Sequence, residues 1–394
     1  MSRNDGDLRA IIAVLSAGNF VIGMGAFVVI GLLVPLANGF AISEAEAGWV
    51  MTVYALAYAV LSPILVASTG QFGRRRLMIG SLGLFALAAL LSALSPSVEA
   101  LYAARVLAAA GAGLFTPTAA AVAAAISAPE RRGTVLAQVF FGLTLAQVLG
   151  VPLGSFIAYA VGWRASLVLV ALLALPCLWY IARIVPRGLK FQPTRLSALG
   201  AALLDGRMML SVAFTATFLG AIYVLYTYLA AFLAEVQGYG RDGVTLILLI
   251  FGLGAVAGNL AGGAMADRLG AYRTLLILCV GQIVLMPLYS FPLAFEGPIS
   301  GWSIALLSFG WSVMGWSFMA GQQLRLLSRA PDAQTVVLAL NAAAIYVGAA
   351  IGSAYGGAVI GTFGLPYLGL SAGAFALLAL AHLIFSERLP PHVD

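Results

Sequence analysis

The sequence predicts an all-α polytopic membrane protein, with twelve transmembrane helices arranged as two pseudo-symmetric six-helix bundles. Composition is the first observation: 62% of the 394 residues are hydrophobic, 9% are charged and the mean hydropathy is +1.04. A soluble domain carries about a quarter charged residues, so the solvent of this chain is lipid. Length is the second, because the apolar stretches repeatedly reach the ~20 residues that a helix needs to cross the hydrocarbon core. The third is a single long polar connection, 185–207, which divides these stretches six and six.

Breaks at proline, glycine and charged clusters mark the spans in order. Span 1 (9–37) follows a charged N-terminal segment and is too long for a signal-peptide core, so it is expected to be retained. Span 2 (45–68) opens behind Ser43, an N-cap whose box Glu46 completes three residues on. Span 3 (76–95) starts behind the arginines 74–76, and span 4 (98–126) runs from Pro96 to the cluster at 129–132. Spans 5 (133–160) and 6 (163–184) are parted at Gly162. Beyond the connector come spans 7 (208–235), 8 (242–266) and 9 (272–292). Spans 10 (298–326), 11 (333–361) and 12 (364–386) complete the set. The expected division is therefore 1–184, connector 185–207, and 208–394.

Charge fixes the orientation. Seventeen of the twenty basic residues fall on one side of these spans, Arg164 and Arg241 on the other, and Arg105 inside span 4. By the positive-inside rule both termini are cytoplasmic. Nineteen of the twenty are arginine and nearly all flank spans, which suits topology rather than a nucleic-acid surface. Cys177 and Cys279 sit in apolar stretches without metal spacing and read as small buried hydrophobes. Lys190 is the only lysine and does not follow a glycine, so a phosphate-binding Gly-Lys loop is excluded. With no catalytic or metal constellation either, neither enzymatic activity nor a cofactor is expected.

The halves also repeat. Thr69–Arg76 between spans 2 and 3 corresponds in position to Ala266–Arg273 between spans 8 and 9. Parallel halves with a site at mid-membrane are the architecture of one class of secondary transporter.

Particular motifs narrow the class. Gly263, Asp267, Arg268 and Gly270 match the pattern Gly-x-x-x-Asp-Arg-x-Gly, and Arg105 is followed by the small-residue run 108–113. Gly142 to Gly154 ends in Gly150-x-Pro152-x-Gly154, and Pro129–Gly133 and Gly162–Arg164 follow the same pattern set. On these residues the chain resembles the major facilitator superfamily over almost its whole length, and within it the arabinose-efflux-like branch of drug/proton antiporters. The resemblance implies alternating access, export by proton antiport and residence in a bacterial inner membrane, as a monomer. Two positions depart from the pattern: Gly70 stands where the first-half loop has Asp, and Ala26 where span 1 of the branch often has an acid.

Arg105 is the one ionisable side chain well inside a span; an intramembrane charge is a functional candidate by default, and the alternative is a structural arginine bonded to helix backbone. Asn19, Tyr58, Gln138, Tyr223, Trp316 and Asn341 join it as candidate substrate-binding residues, since amides in hydrocarbon need partners and tend to face the bundle interior. Gly150, Pro152 and Gly154 allow close helix approach and a bend, and are expected to serve gating. Asp267, with Arg268 and Arg273, is expected to form a cytoplasmic latch whose partners are Arg273, Arg325 or Arg329. No acid lies deep in any span, so proton coupling, if present, falls to Glu235 or Asp267. A lining with almost no fixed charge suits a neutral or weakly charged, partly apolar solute: a drug, sugar, nucleoside or metabolite. An uncoupled facilitator or importer, and a non-transporting sensor on the same scaffold, are the alternative readings.

Overall fold

The computed structural model describes residues 5–69, 71–128, 131–187, 203–293, 298–329 and 334–388. Within them, twelve helices are long and apolar enough to cross a membrane. Span 1 is α1 (Asp5–Phe27) and α2 (Val29–Phe40), broken at Val28; spans 2, 3 and 4 are α3 (Glu44–Ser68), α4 (Arg74–Ala93) and α5 (Val98–Ile126). Span 5 is α6 (Arg132–Leu145) and α7 (Val151–Val161), joined by a π turn at Ala146–Gly150, and span 6 is α8 (Trp163–Ile184). Span 7 is α9 (Gly206–Tyr226), interrupted at Thr227 and Tyr228 and completed by a wide turn at Phe232–Val236. Then follow α10 (Arg241–Leu269), α11 (Ala271–Leu285, continued as a 3-10 turn to Leu293), α12 (Gly301–Trp316), α13 (Phe318–Arg329), α14 (Gln334–Phe363) and α15 (Leu368–Arg388).

Local chemistry explains several ends. Glu46 accepts from the Ser43 backbone and hydroxyl, both at 2.9 Å, and the Ser43 hydroxyl accepts from the Glu46 N–H at 3.2 Å, the reciprocal capping box. Asp205 caps α9 by accepting from the N–H groups of Arg207 and Met208 at 3.0 Å. Most of the 185–207 connector lies outside the described residues.

Packing gives two compact units, one from Met1–Leu32 and Ala57–Arg195, the other from Leu33–Leu56 and Leu196–Asp394. Residues 33–56, which the expected division assigns to the first half, pack with the second unit. In the first unit α1 lies against α6 and α8, and α4 against α5 and α8. The α1–α6/α7 contact is nearly backbone to backbone: a Cβ at Gly142 would overlap the Ser16 carbonyl oxygen, and one at Gly154 a Val28 methyl. In the second unit α9 lies against α14 and α15, and α10 against α12 and α13.

Candidate functional site

In the first unit, the α1 break explains Arg105. Its side chain is 2% exposed, and it donates from one Nη to the Gly25 carbonyl at 2.8 Å and from the other to the Ala26 carbonyl at 3.2 Å. In an unbroken helix those carbonyls accept from residues 29 and 30, beyond the break; here the guanidinium supplies donors. Both bonds go to helix backbone. Asn19 is likewise occupied by protein: its amide donates to the Val139 carbonyl and accepts from the Thr116 hydroxyl, each at 3.0 Å, tying α1 to α6 and α5. Tyr58 is buried. Gln138 is exposed on α6, in a cleft of about 320 Å³ with Arg9, Arg131 and Thr134. Gly150 closes the π turn, Pro152 follows it and Gly154 faces span 1 at Val28, so the motif forms the tight seam between spans 1 and 5.

The second unit holds a continuous aromatic cluster. Tyr223 and Tyr226, three residues apart on α9, meet edge to face at 5.7 Å. Tyr226 stacks on Phe251 at 4.5 Å and meets the edge of Trp316 at 5.5 Å, and Phe251 leads to Trp311 at 5.0 Å and on to Tyr289 at 5.4 Å. The deep members are satisfied: the Trp311 indole donates to Gln282 at 2.7 Å, and the Tyr289 and Ser308 hydroxyls lie 2.8 Å apart. The Tyr223 and Tyr226 hydroxyls have no hydrogen-bond partner among the described residues, although both rings are buried, and Trp316 beside them is half-buried. A buried tyrosine hydroxyl usually finds a partner. Two open donors beside ring faces can bind a solute that carries an acceptor on an apolar or planar body.

Asn341 is drawn into a chain of internal bonds. It accepts from the Thr215 hydroxyl at 2.5 Å, and Thr215 in turn accepts from Gln322 at 2.9 Å. Arg325 and Arg329, expected as partners of Asp267, are engaged elsewhere: both bond to Glu387, at 3.1 and 2.7 Å, and Ser386 and Ser211 take further N–H groups. They stand one helical turn apart and converge on the end of α15. Asp267, Arg268 and Arg273 are exposed at that turn, and Asp267 has no ion pair among the described residues. Gly70 lies outside the described residues. Glu235 is exposed at the other end of span 7. Sequence reading overlooked Glu387 and Phe251; an acid ending span 12 in a chain this poor in acids was the available signal for the first.

A profile of the Major Facilitator Superfamily matches residues 15–331. The chain belongs to this superfamily. Its relatives include the MFS-type transporter YbcL of Bacillus subtilis, 31% identical over 380 residues that cover 96% of each chain. The inner membrane transport protein YdhP of Escherichia coli (strain K12) is 27% identical, again over 96% of each. A probable sugar efflux transporter of Pasteurella multocida is 26% identical over 96% of this chain and 92% of its own. The fold is that of a D-xylose-proton symporter (TM-score 0.75, 18% identity, covering 97% of this chain and 98% of the other). A bacterial homologue of the human lysosomal transporter Spinster shares it too (TM-score 0.76, 17% identity, 98% of both). This superfamily member is thus a multi-pass membrane transporter and not an enzyme.

Proposed function

We propose that this transporter exports a small neutral or weakly charged, partly apolar solute across a bacterial inner membrane, by alternating access, as a monomer with both termini cytoplasmic. The observation that carries the substrate class is the aromatic cluster of the second unit. Tyr223 and Tyr226 offer unpartnered hydroxyls next to half-buried Trp316, and no carboxylate belongs to the cluster to recruit a cation. Gln138 and Tyr58 are the first-unit candidates that remain; Arg105, Asn19 and Asn341 act through helix geometry. The motif at Gly150, Pro152 and Gly154 and the sugar-efflux relative from Pasteurella multocida both favour export. Coupling by proton antiport through Glu235 or Asp267 follows from the branch resemblance.

The test is a thermal-shift screen of purified protein against neutral amphiphiles, sugars and nucleosides, because a ligand that binds only the folded state raises its apparent stability. A hit is expected to weaken in Tyr223→Phe and Trp316→Ala. Hits left unchanged by both substitutions would remove the cluster from the substrate site. Ala26, which leaves span 1 without an acid, favours a second reading, an uncoupled facilitator. Counterflow in proteoliposomes that is indifferent to a pH gradient would select it.

A further inference from the structure

Spans 3 and 6 lie side by side in the first unit, α4 against α8, and each turns an apolar stripe outward. On α8 the stripe runs through Leu172, Leu175 and Trp179, each more than half exposed, and ends one turn further on at exposed Arg183. On α4 it starts at exposed Arg76 and continues through Gly80, Gly83, Leu87 and Leu91, the three- and four-residue spacing of one helix face. On spanning helices such exposed apolar side chains face acyl chains rather than water. A Cβ at Gly80 or Gly83 would meet nothing within 4 Å, so the backbone beyond Arg76 is bare and the stripe has a shallow gap there.

The two stripes end together. Arg75 donates from one Nη to the Val185 carbonyl at 3.4 Å, joining the first turn of α4 to the residue that follows α8. Arg183 and Arg187 stand two residues to either side of Val185, so with Arg75 and Arg76 four guanidinium groups gather at this edge. The Arg183 guanidinium lies over the Trp179 ring, 5.1 Å from its centroid, and Tyr180 meets that ring edge-on at 4.7 Å. Stacking holds the guanidinium plane on the outer face and leaves its N–H fork for an oxygen ligand. No acid balances this charge. Residues 47–98 and 131–204, which contain both spans, hold no Asp or Glu, and among the described residues none of the four arginines forms an ion pair.

We propose that this edge of spans 3 and 6 binds an anionic phospholipid, with its phosphate on Arg76 and Arg183, its glycerol beside Trp179 and an acyl chain along the bare backbone at Gly80 and Gly83. The positive-inside bias accounts for basic residues at this end of the spans. It does not call for the ring stack under Arg183 or the open backbone beyond Arg76. A zwitterionic lipid offers the same phosphate together with a cationic group that the arginines repel, so the edge selects a headgroup of net negative charge. The site is separate from the aromatic cluster of the second unit and does not depend on which solute is carried.

Native mass spectrometry of the full-length protein in detergent, titrated separately with dioleoyl phosphatidylglycerol and dioleoyl phosphatidylcholine, counts the lipids retained. The wild type is expected to retain phosphatidylglycerol in preference. Each arginine near the membrane surface contributes about a five-fold factor, so Arg76→Gln and Arg183→Gln should each lower the preference about five-fold, and the double variant about thirty-fold. Arg183→Lys keeps the charge without the stacked plane and should fall between the wild type and Arg183→Gln. A control double variant, Arg207→Gln with Arg388→Gln, exposed at span ends of the second unit, should leave the preference unchanged. All these side chains are exposed, so the variants are expected to fold. A double variant at Arg76 and Arg183 that keeps the wild-type preference overturns the site. An equal loss in the control does so too, by showing attraction to net charge alone. Release of phosphatidylglycerol by millimolar inorganic phosphate would assign the arginines to a free anion and overturn the lipid.

Discussion

Replacing Arg105 tests the most buried charge in the first unit. Its side chain is 2% exposed and gives donors to two carbonyls at the break of α1. Arg105→Met keeps most of the stem volume and removes both donors, leaving the Gly25 and Ala26 carbonyls unsatisfied. Each buried unsatisfied group costs ~1–3 kcal/mol, so the two together cost ~2–6 kcal/mol. Relief from burying a cation offsets part of this, and the expected net loss is toward the lower end, ~2–3 kcal/mol. Arg105→Lys, with a single ammonium in place of the fork, should recover about half. The assay is reversible unfolding in detergent, with membrane insertion checked by fractionation and transport measured in parallel. Transport should fall strongly in Arg105→Met and partly return in Arg105→Lys, because the side chain acts through the shape of span 1. A Met variant as stable as the parent would refute the account of the break.

Three further outcomes follow. Gly142→Ala forces a methyl onto the Ser16 backbone carbonyl, which cannot rotate away, and should cost ~1–3 kcal/mol; Gly154→Ala meets only a Val28 methyl and should cost less, as melting temperatures will show. Glu387→Gln leaves Arg325, 3% exposed, without its counter-charge; since Glu387 is itself partly exposed, the loss is expected at ~1–3 kcal/mol in chemical unfolding. Asp267→Asn should leave stability within ~0.5 kcal/mol, as no ion pair holds Asp267 here; a larger loss on unfolding would mean that this carboxylate has a partner in the folded state.

What the sequence disclosed follows from how far each force reaches. Span 6 was expected at 163–184 and α8 is Trp163–Ile184, because hydropathy and a flanking glycine are local properties. The breaks at Val28, Thr227 and Ser317 carry no proline of their own. Those at Val28 and Ser317 lie beside tertiary contacts, the Arg105 fork and the aromatic cluster, that a one-dimensional pattern does not contain. Asn19 and Asn341 were legible as buried amides, but their partners lie 120 and 126 residues away. Arg325 was legible as a cation at a span end; that it faces Glu387, 62 residues on, rather than Asp267, depends on which face of α13 meets α15. Packing of residues 33–56 with the second unit depends on Gly48, Gly356 and Gly357 around the Tyr228 ring, a pattern spread over three spans.

The aromatic cluster also equips this protein with an internal optical reporter. Tyr226 and Tyr289 lie beside Trp311, which is fully enclosed, while Trp316 in the same cluster keeps an open face. Light absorbed by the phenols passes to these indoles, so the cluster emits from one shielded and one accessible fluorophore. A solute settling on Trp316 would change the accessible emission and its quenching by iodide, and leave the enclosed component as an internal standard. With Trp49, Trp163, Trp179 and Trp302 replaced by phenylalanine, occupancy could be followed in real time without attaching a dye.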